Sequence, residues 1–304
     1  MHLNETAILA RIRALLPGGE DLLDDCGALP QAPSGQVLLV TTDLMESGQH
    51  FRLDWHPPDL LARKLLAVNL SDLDASGARP FGYTLTLALG PEIDGPWLDA
   101  FLAGLAAASR EASVQVLGGD TVGRASGLGL GLTAFGFATR WLRRDGLQPG
   151  DGIFVDQRPG ASLRGLRKLQ GGQRWDPAHP DADLEAHLAP RPNLGLGLRL
   201  AAMPEVHACL DLSDGLSRDL RNLAEASGVS IAVAPELDED SLKGGEDYAR
   251  CFGACLSQEE LEQRLGLTLL AVGRAMERGP APLLLYDGNG PRALPDLGFD
   301  HFAP

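Results

Sequence analysis

Basic residues are scarce in this 304-residue chain: 26 Lys and Arg face 41 Asp and Glu, for a formal net charge of -15. A nucleic-acid phosphate backbone calls for a basic stripe, so this balance argues against such a partner. Long hydrophobic runs are missing too. No stretch of about 18 apolar residues occurs, and no membrane span is expected. Cysteine is limited to Cys26, Cys209, Cys251 and Cys255. The opening MHLNETAILARIRALL lacks the basic-then-apolar layout of a secretory signal, so these read as reduced thiols in a cytoplasmic protein. Cys251 and Cys255 have no second pair to complete a metal site and lie in an apolar run, which predicts that both are buried. Several nucleotide and metal motifs are absent as well. Gly-Lys never occurs, which removes a Walker A loop, and no His-Glu-x-x-His zinc helix is present. GLGLGL has the wrong spacing for a dinucleotide fingerprint and reads as a strand with one bare face.

What remains is an ordinary core composition, 44% hydrophobic, over a length that suits two medium domains. Ile8, Leu9, Ile12, Leu15 and Leu16 fall at helical spacing and predict an amphipathic N-terminal helix. VLLVTTD reads as a strand and DLLARKLLAVNLSDLDAS as a helix stopped by Gly77 and Pro80. FGYTLTLAL, VQVLGGD and GLGLGLTAFGFA follow as strands, with a helix in PWLDAFLAGLAAASREA opened by its proline. The polar Gly/Pro stretch 143–152 marks a boundary between domains 1–142 and 143–304. Beyond it the pattern resumes with strand GIFV, a helix at 162–170, a loop at 171–183, strands CLDL, VSIAVA, DYARCFGACL and LTLLAVG, and helix QEELEQRL. The fold class is therefore α/β (α+β), in two halves.

The acidic residues are not scattered. In CLDLSDGLSRDL an apolar run delivers Asp211, Ser213 and Asp214 into one turn. The same happens at Asp24 and Asp25, at Thr41, Thr42 and Asp43, at Asp72, and at Asp120 after Gly119. Carboxylates beside hydroxyls are the oxygen donors Mg²⁺ prefers, together with substrate phosphates. Singly, each fits a cap or turn: Asp214 as the cap of the helix after it, Asp43 in an Asx-turn. Together they point to a cation that carries phosphates. His50 and His301 each neighbour a phenylalanine in a turn, where a surface histidine is the simpler reading.

TTDLMESGQHF, AVNLSDLDASGARP, LGGDT, LDLSDGLSRDL, GGEDYARCF and GFDHF resemble, in order, the motifs of the thiamine-monophosphate kinase family. That family belongs to the aminoimidazole ribonucleotide synthetase-like ATP enzymes. The resemblance implies two α/β domains with the active site between them, and a homodimer formed through N-terminal strands. It implies transfer of the ATP γ-phosphate to thiamine monophosphate on several Mg²⁺ ions. Asp25, Thr41, Thr42, Asp43, Asp72, Asp120, Asp211 and Asp214 would be ligands, with Asp43, Asp72, Asp120 and Asp211 catalytic. Gly119, Asp120, Arg144 and Ser213 would hold ATP; His50, Glu246 and Phe299 would hold thiamine monophosphate. Asp43, Asp72 and Asp120 are expected to converge in one pocket. A monophosphate, with its second pKa near about 6, is already largely anionic at neutral pH, so no general base is needed. The chain departs from the family at Leu23, at Val155–Gln157 and in a shortened segment before GGEDY. The competing readings are a superfamily ATP enzyme with another acceptor, and an inactive metal- and nucleotide-binding regulator.

Overall fold

The computed structural model describes residues 5–21, 29–287 and 290–299. It falls into two compact units. One comprises residues 1–73, 78–139 and 174–179; the other comprises 74–77, 140–173 and 180–304.

In chain order the first unit contains α1 (Glu5–Leu15), β1 (Val37–Glu46), α2 (Pro58–Ala75), β2 (Ala78–Leu89), α3 (Gly95–Ala112), β3 (Gln115–Gly123) and β4 (Leu128–Ala138). The last two residues of α2, Asp74 and Ala75, count with the second unit. The sheet order is β1-β4-β2-β3, with β2 and β3 parallel and the other neighbours antiparallel. A parallel pair needs a long crossover, and α3 supplies it. The ends of α3 are fixed locally: Asp94 accepts the Trp97 N–H at 2.8 Å, and Ser113 closes the helix in the left-handed region at φ 56°. Leu61, Leu65, Phe101 and Leu105 of the helices pack with Tyr83, Leu85, Leu130 and Leu132 of the strands in one core.

One sheet face is thereby covered. On β1, the alternation puts Leu39, Thr41, Asp43 and Met45 toward the helices and Leu38, Val40, Thr42 and Leu44 outward. Val40 and Leu44 are 63% and 61% exposed, and Phe81 stacks on Phe135 and Phe137 with ring centroids 6.3 and 4.8 Å apart.

The second unit contains β5 (Gly152–Val155), α4 (Ala161–Gln170), α5 (Ala182–Leu188), α6 (Leu196–Ala201), β6 (Val206–Asp211), α7 (Leu216–Ser227), β7 (Ser230–Val233), α8 (Glu239–Lys243), β8 (Arg250–Ala254), α9 (Gln258–Leu265), β9 (Leu270–Met276), β10 (Leu283–Asp287) and β11 (Gly290–Ala293). Its sheet runs β11-β10-β7-β9-β5-β8-β6. Ile153, Val155, Leu210, Leu220, Ile231 and Val272 form part of its core. Helix α9 carries a capping box, Ser257 with Glu260, and ends at Gly266 with φ 63°. Cys209 and Cys251 are buried, but Cys255 is exposed, against expectation. Strand β8 stops at Ala254, so Cys255 falls in the turn before α9 rather than in the sheet.

Candidate functional site

Each unit carries one acidic group of residues. In the first unit, β1 turns Thr41 and Asp43 to the helix-covered face, where α2 presents Asp72. Thr41 Oγ1 donates to Asp72 Oδ2 at 2.6 Å. One carboxylate oxygen of Asp43 is out of reach of solvent. Thr42, between them, points to the other face; its hydroxyl donates to the Leu132 carbonyl at 3.2 Å and lies 2.9 Å from Thr133 Oγ1. Its side chain is therefore not brought to Asp72.

The register extends this arrangement across the sheet. Asp43, Leu132, Leu85 and Gly119 share one row. A Cβ at Gly119 would stand 2.0 Å from the Leu85 carbonyl oxygen, so only glycine fits there. Asp120 lies one row further, beside Thr86, in the row of Gly131 and Leu44. It is exposed, and its Oδ1 accepts the Thr121 N–H at 2.9 Å. That row faces away from the helices, so the expected convergence of Asp120 with Asp43 and Asp72 is not met. The cause is a bulge: β2 and β3 shift register between Tyr83 and Thr84, leaving Leu117 as the extra residue. One added residue inverts the facing of every side chain after it. Asp25 and His301 lie outside the described residues.

His50 sits in the turn after β1, where its Nδ1 accepts the Glu46 N–H at 3.0 Å. A neutral ring that accepts at Nδ1 carries its proton at Nε2, and so offers an N–H donor there.

In the second unit the sequence motifs do meet. Strand β6 ends at Asp211, and the turn 212–215 leads into α7. Leu212 N–H donates to Ala249 O at 3.0 Å, and Tyr248 N–H to Leu212 O at 2.8 Å. Glu246 N–H donates to Ser213 O at 2.8 Å, and Phe299 N–H to Asp214 O at 2.8 Å. Backbone bonds thus join LDLSDG, GGEDY and Phe299 at one turn. Gly215, at φ 111°, is the N-cap of α7, and no side chain caps it, so the capping reading of Asp214 does not hold. Glu246 and Tyr248 have φ of 61° and 51°, a left-handed backbone rare for residues with side chains.

The sequence alone gives no role to Asp219, Asp247, His187 or Arg250. Asp219, one turn into α7, is buried and accepts the Asp214 N–H at 3.2 Å. Burial first, then the charges of Asp214 and Asp211, push its pKa well above the usual carboxylate range. Asp247 accepts the N–H groups of Gly160 at 2.6 Å and Ser162 at 3.2 Å, yet burial still raises its pKa to about 6. Glu246 Oε2 lies 3.3 Å from Nδ1 of the buried His187, which also contacts Ser162 Oγ at 3.0 Å. Arg250, opposite Asp211 across the strands, is wholly buried, and its Nε donates to Asp74 Oδ2 at 2.7 Å. Arg144 is exposed, its carbonyl accepting from Ser227 Oγ at 2.9 Å. Phe299 as a residue is 51% exposed.

The donors in both groups are carboxylate and hydroxyl oxygens, the set that suits Mg²⁺. Among the described residues, however, no three His, Cys, Asp or Glu side chains stand together as a metal cage. The fit is one of donor type, with phosphate oxygens or water needed to complete a coordination shell.

Comparison with known proteins agrees with the motif order. The family model "AIR synthase related protein, N-terminal domain" matches residues 23–138. The thiamine-monophosphate kinase of Salmonella typhimurium is 38% identical over 302 residues, 92% of this chain and 91% of that protein. That of Escherichia coli K12 is 36% identical over 301 residues, again 92% and 91%. Among solved structures, thiamine-monophosphate kinase from Stenotrophomonas maltophilia K279a superposes with a TM-score of 0.76 at 35% identity, covering 94% of this chain and 97% of that one. AaThiL complexed with AMPPCP and TMP gives a TM-score of 0.77 at 25% identity, covering 99% of both chains. This chain belongs to the thiamine-monophosphate kinase family.

Proposed function

We propose that this protein transfers the γ-phosphoryl group of ATP to the phosphate of thiamine monophosphate, giving thiamine diphosphate and ADP. The observation that carries the reading is the meeting of LDLSDG, GGEDY and the Phe299 segment at one turn. The 38% identity to a thiamine-monophosphate kinase across 92% of the chain supports it.

Thr41, Asp43 and Asp72 in one unit, and Asp211 and Asp214 in the other, would hold Mg²⁺, joined by Asp25; Thr42 and Asp120 face the opposite side of their sheet and stand outside that set. When bound, the metal neutralises phosphate charge and so lowers the repulsion between two anionic substrates. The chain's own residues bind and orient. Gly119, Ser213 and Arg144 serve ATP. His50 presents its Nε2–H to the acceptor phosphate. Glu246 offers a carboxylate to an acceptor whose thiazolium ring is cationic, and the exposed ring of Phe299 gives that acceptor a flat apolar surface. No base is required, because the attacking phosphate oxygen is already anionic. The test is ATP consumption by purified protein with Mg²⁺, with and without thiamine monophosphate, and product identification by chromatography. Turnover and thiamine diphosphate appear only with the acceptor. ATP hydrolysis indifferent to it, or ready phosphorylation of free thiamine, overturns the assignment.

The reaction belongs in the cytoplasm, where ATP is available. Among the described residues no helix is long and apolar enough to cross a membrane. The uncovered sheet face with Val40, Leu44 and the Phe81–Phe135–Phe137 stack supports a homodimer formed through the first unit. Sedimentation equilibrium at micromolar protein should return a dimer, and the Val40→Asp/Leu44→Asp double variant a folded monomer. A monomeric parent protein removes the claim.

A further inference from the structure

We infer that His187 is a positioning residue for acceptor binding: it fixes the carboxylate of Glu246. The inference rests on the assignment of Glu246 to thiamine monophosphate. Helix α5 buries Leu184, His187 and Leu188, so His187 is a polar ring on the otherwise apolar inner face of that helix. A buried imidazole is costly unless its nitrogens are bonded. Its Nδ1 lies 3.3 Å from Glu246 Oε2 and 3.0 Å from Ser162 Oγ. An ionised carboxylate offers no proton, so a hydrogen bond along this contact requires the proton to sit on Nδ1. Ser162 Oγ, a hydroxyl that can accept as well as donate, accommodates a proton on Nδ1 by accepting from it.

The surroundings are built to hold this contact. The backbone of Glu246 is itself fixed, donating to Ser213 O at 2.8 Å from a left-handed conformation. Asp247, the next residue, holds the Gly160 and Ser162 N–H groups at the start of α4. Helices α4 and α5 approach so closely that a Cβ at Gly165 would stand 2.0 Å from the Asp183 carbonyl oxygen. Two adjacent carboxylates of GGEDY therefore each engage this helical pair, Asp247 through α4 and Glu246 through α5. The Glu246 side chain is still 29% exposed, against 4% for His187. Glu246 thus reaches solvent while it is anchored from inside.

Steady-state kinetics on His187→Leu, His187→Asn, Glu246→Ala and His187→Leu/Glu246→Ala test the inference. In His187→Leu, KM for thiamine monophosphate rises roughly tenfold, the scale of one hydrogen bond to a charged group, with KM for ATP unchanged. Asn, whose Nδ2 can donate from nearly the place of Nδ1, restores most of the loss. In the Glu246→Ala background, His187→Leu adds nothing to KM, because the two side chains act as one unit. If Glu246→Ala raises the acceptor KM and His187→Leu leaves it within twofold, the role of His187 falls and that of Glu246 stands. If Glu246→Ala leaves it unchanged, the acceptor assignment itself is wrong. Should His187→Leu fail to fold, ¹⁵N NMR of the imidazole decides on folded protein. The unsubstituted protein should show His187 protonated at Nδ1, and an Nε2–H tautomer there overturns the inference.

Discussion

Replacing Asp72 by Asn is expected to lower kcat/KM for thiamine monophosphate by on the order of a thousandfold, the scale seen when one preorganised electrostatic group is lost. Asn keeps the volume and retains an oxygen to accept from Thr41 Oγ1, which now donates to Asp72 Oδ2 at 2.6 Å. What disappears is the charge, on the face that Asp43 shares. Without bound cation that loss also relieves repulsion between neighbouring carboxylates, so stability should hold or rise slightly. Circular dichroism and thermal melting confirm the fold, and steady-state kinetics measure the loss. An Asp72→Asn variant with unchanged kcat/KM would show that the Thr41–Asp43–Asp72 group is not where the reaction is run.

Replacing Arg250 by Met has its largest expected effect on stability, a loss of about 3–5 kcal/mol, the range for breaking a buried ion pair from one side. The Arg250 side chain is wholly buried, with Nε on Asp74 Oδ2 at 2.7 Å and Nη1 on the Tyr248 carbonyl at 3.1 Å. Asp74 is held further by the N–H groups of Gly195 at 2.6 Å and Gly197 at 3.0 Å. Met fills similar space but leaves the Asp74 charge buried without its cation. Urea denaturation followed by tryptophan fluorescence measures the change. A cost below about 1 kcal/mol would mean that the pair only offsets its own desolvation.

The sequence made some of this legible and hid the rest for physical reasons. Strands such as VLLVTTD and GLGLGLTAFGFA show in their period of two. The α3 helix shows in its proline start and 3.6-residue stripe. The junction of Asp214, Glu246 and Phe299 was readable as motif order, although the hydrogen bonds that make it are backbone bonds and leave no mark on residue identity. The facing of Asp120 was not readable, because it depends on a single bulged residue in β3. Asp219 and His187 were missed because their roles come from what is packed around them after folding. Asp74 and Asp72 look equivalent in NLSDLD, yet only Asp72 meets Thr41 while Asp74 bonds Arg250.

The Asp74–Arg250 pair joins residues 176 positions apart in the chain. Residues 74–77 belong to the second unit, although more than 60 residues separate them from its next segment at 140. A fragment cut at residue 140 would therefore carry Arg250 without the carboxylate that neutralises it. On the ribosome, most of the first unit's chain has emerged well before Arg250 is added. The buried ion pair of the second unit waits for nearly the whole length. Such a contact carries a high sequence separation and slows closure of the unit that depends on it. Folding of this chain is thus expected to be ordered by synthesis, with the Asp74 turn held in reserve until its distant cation arrives.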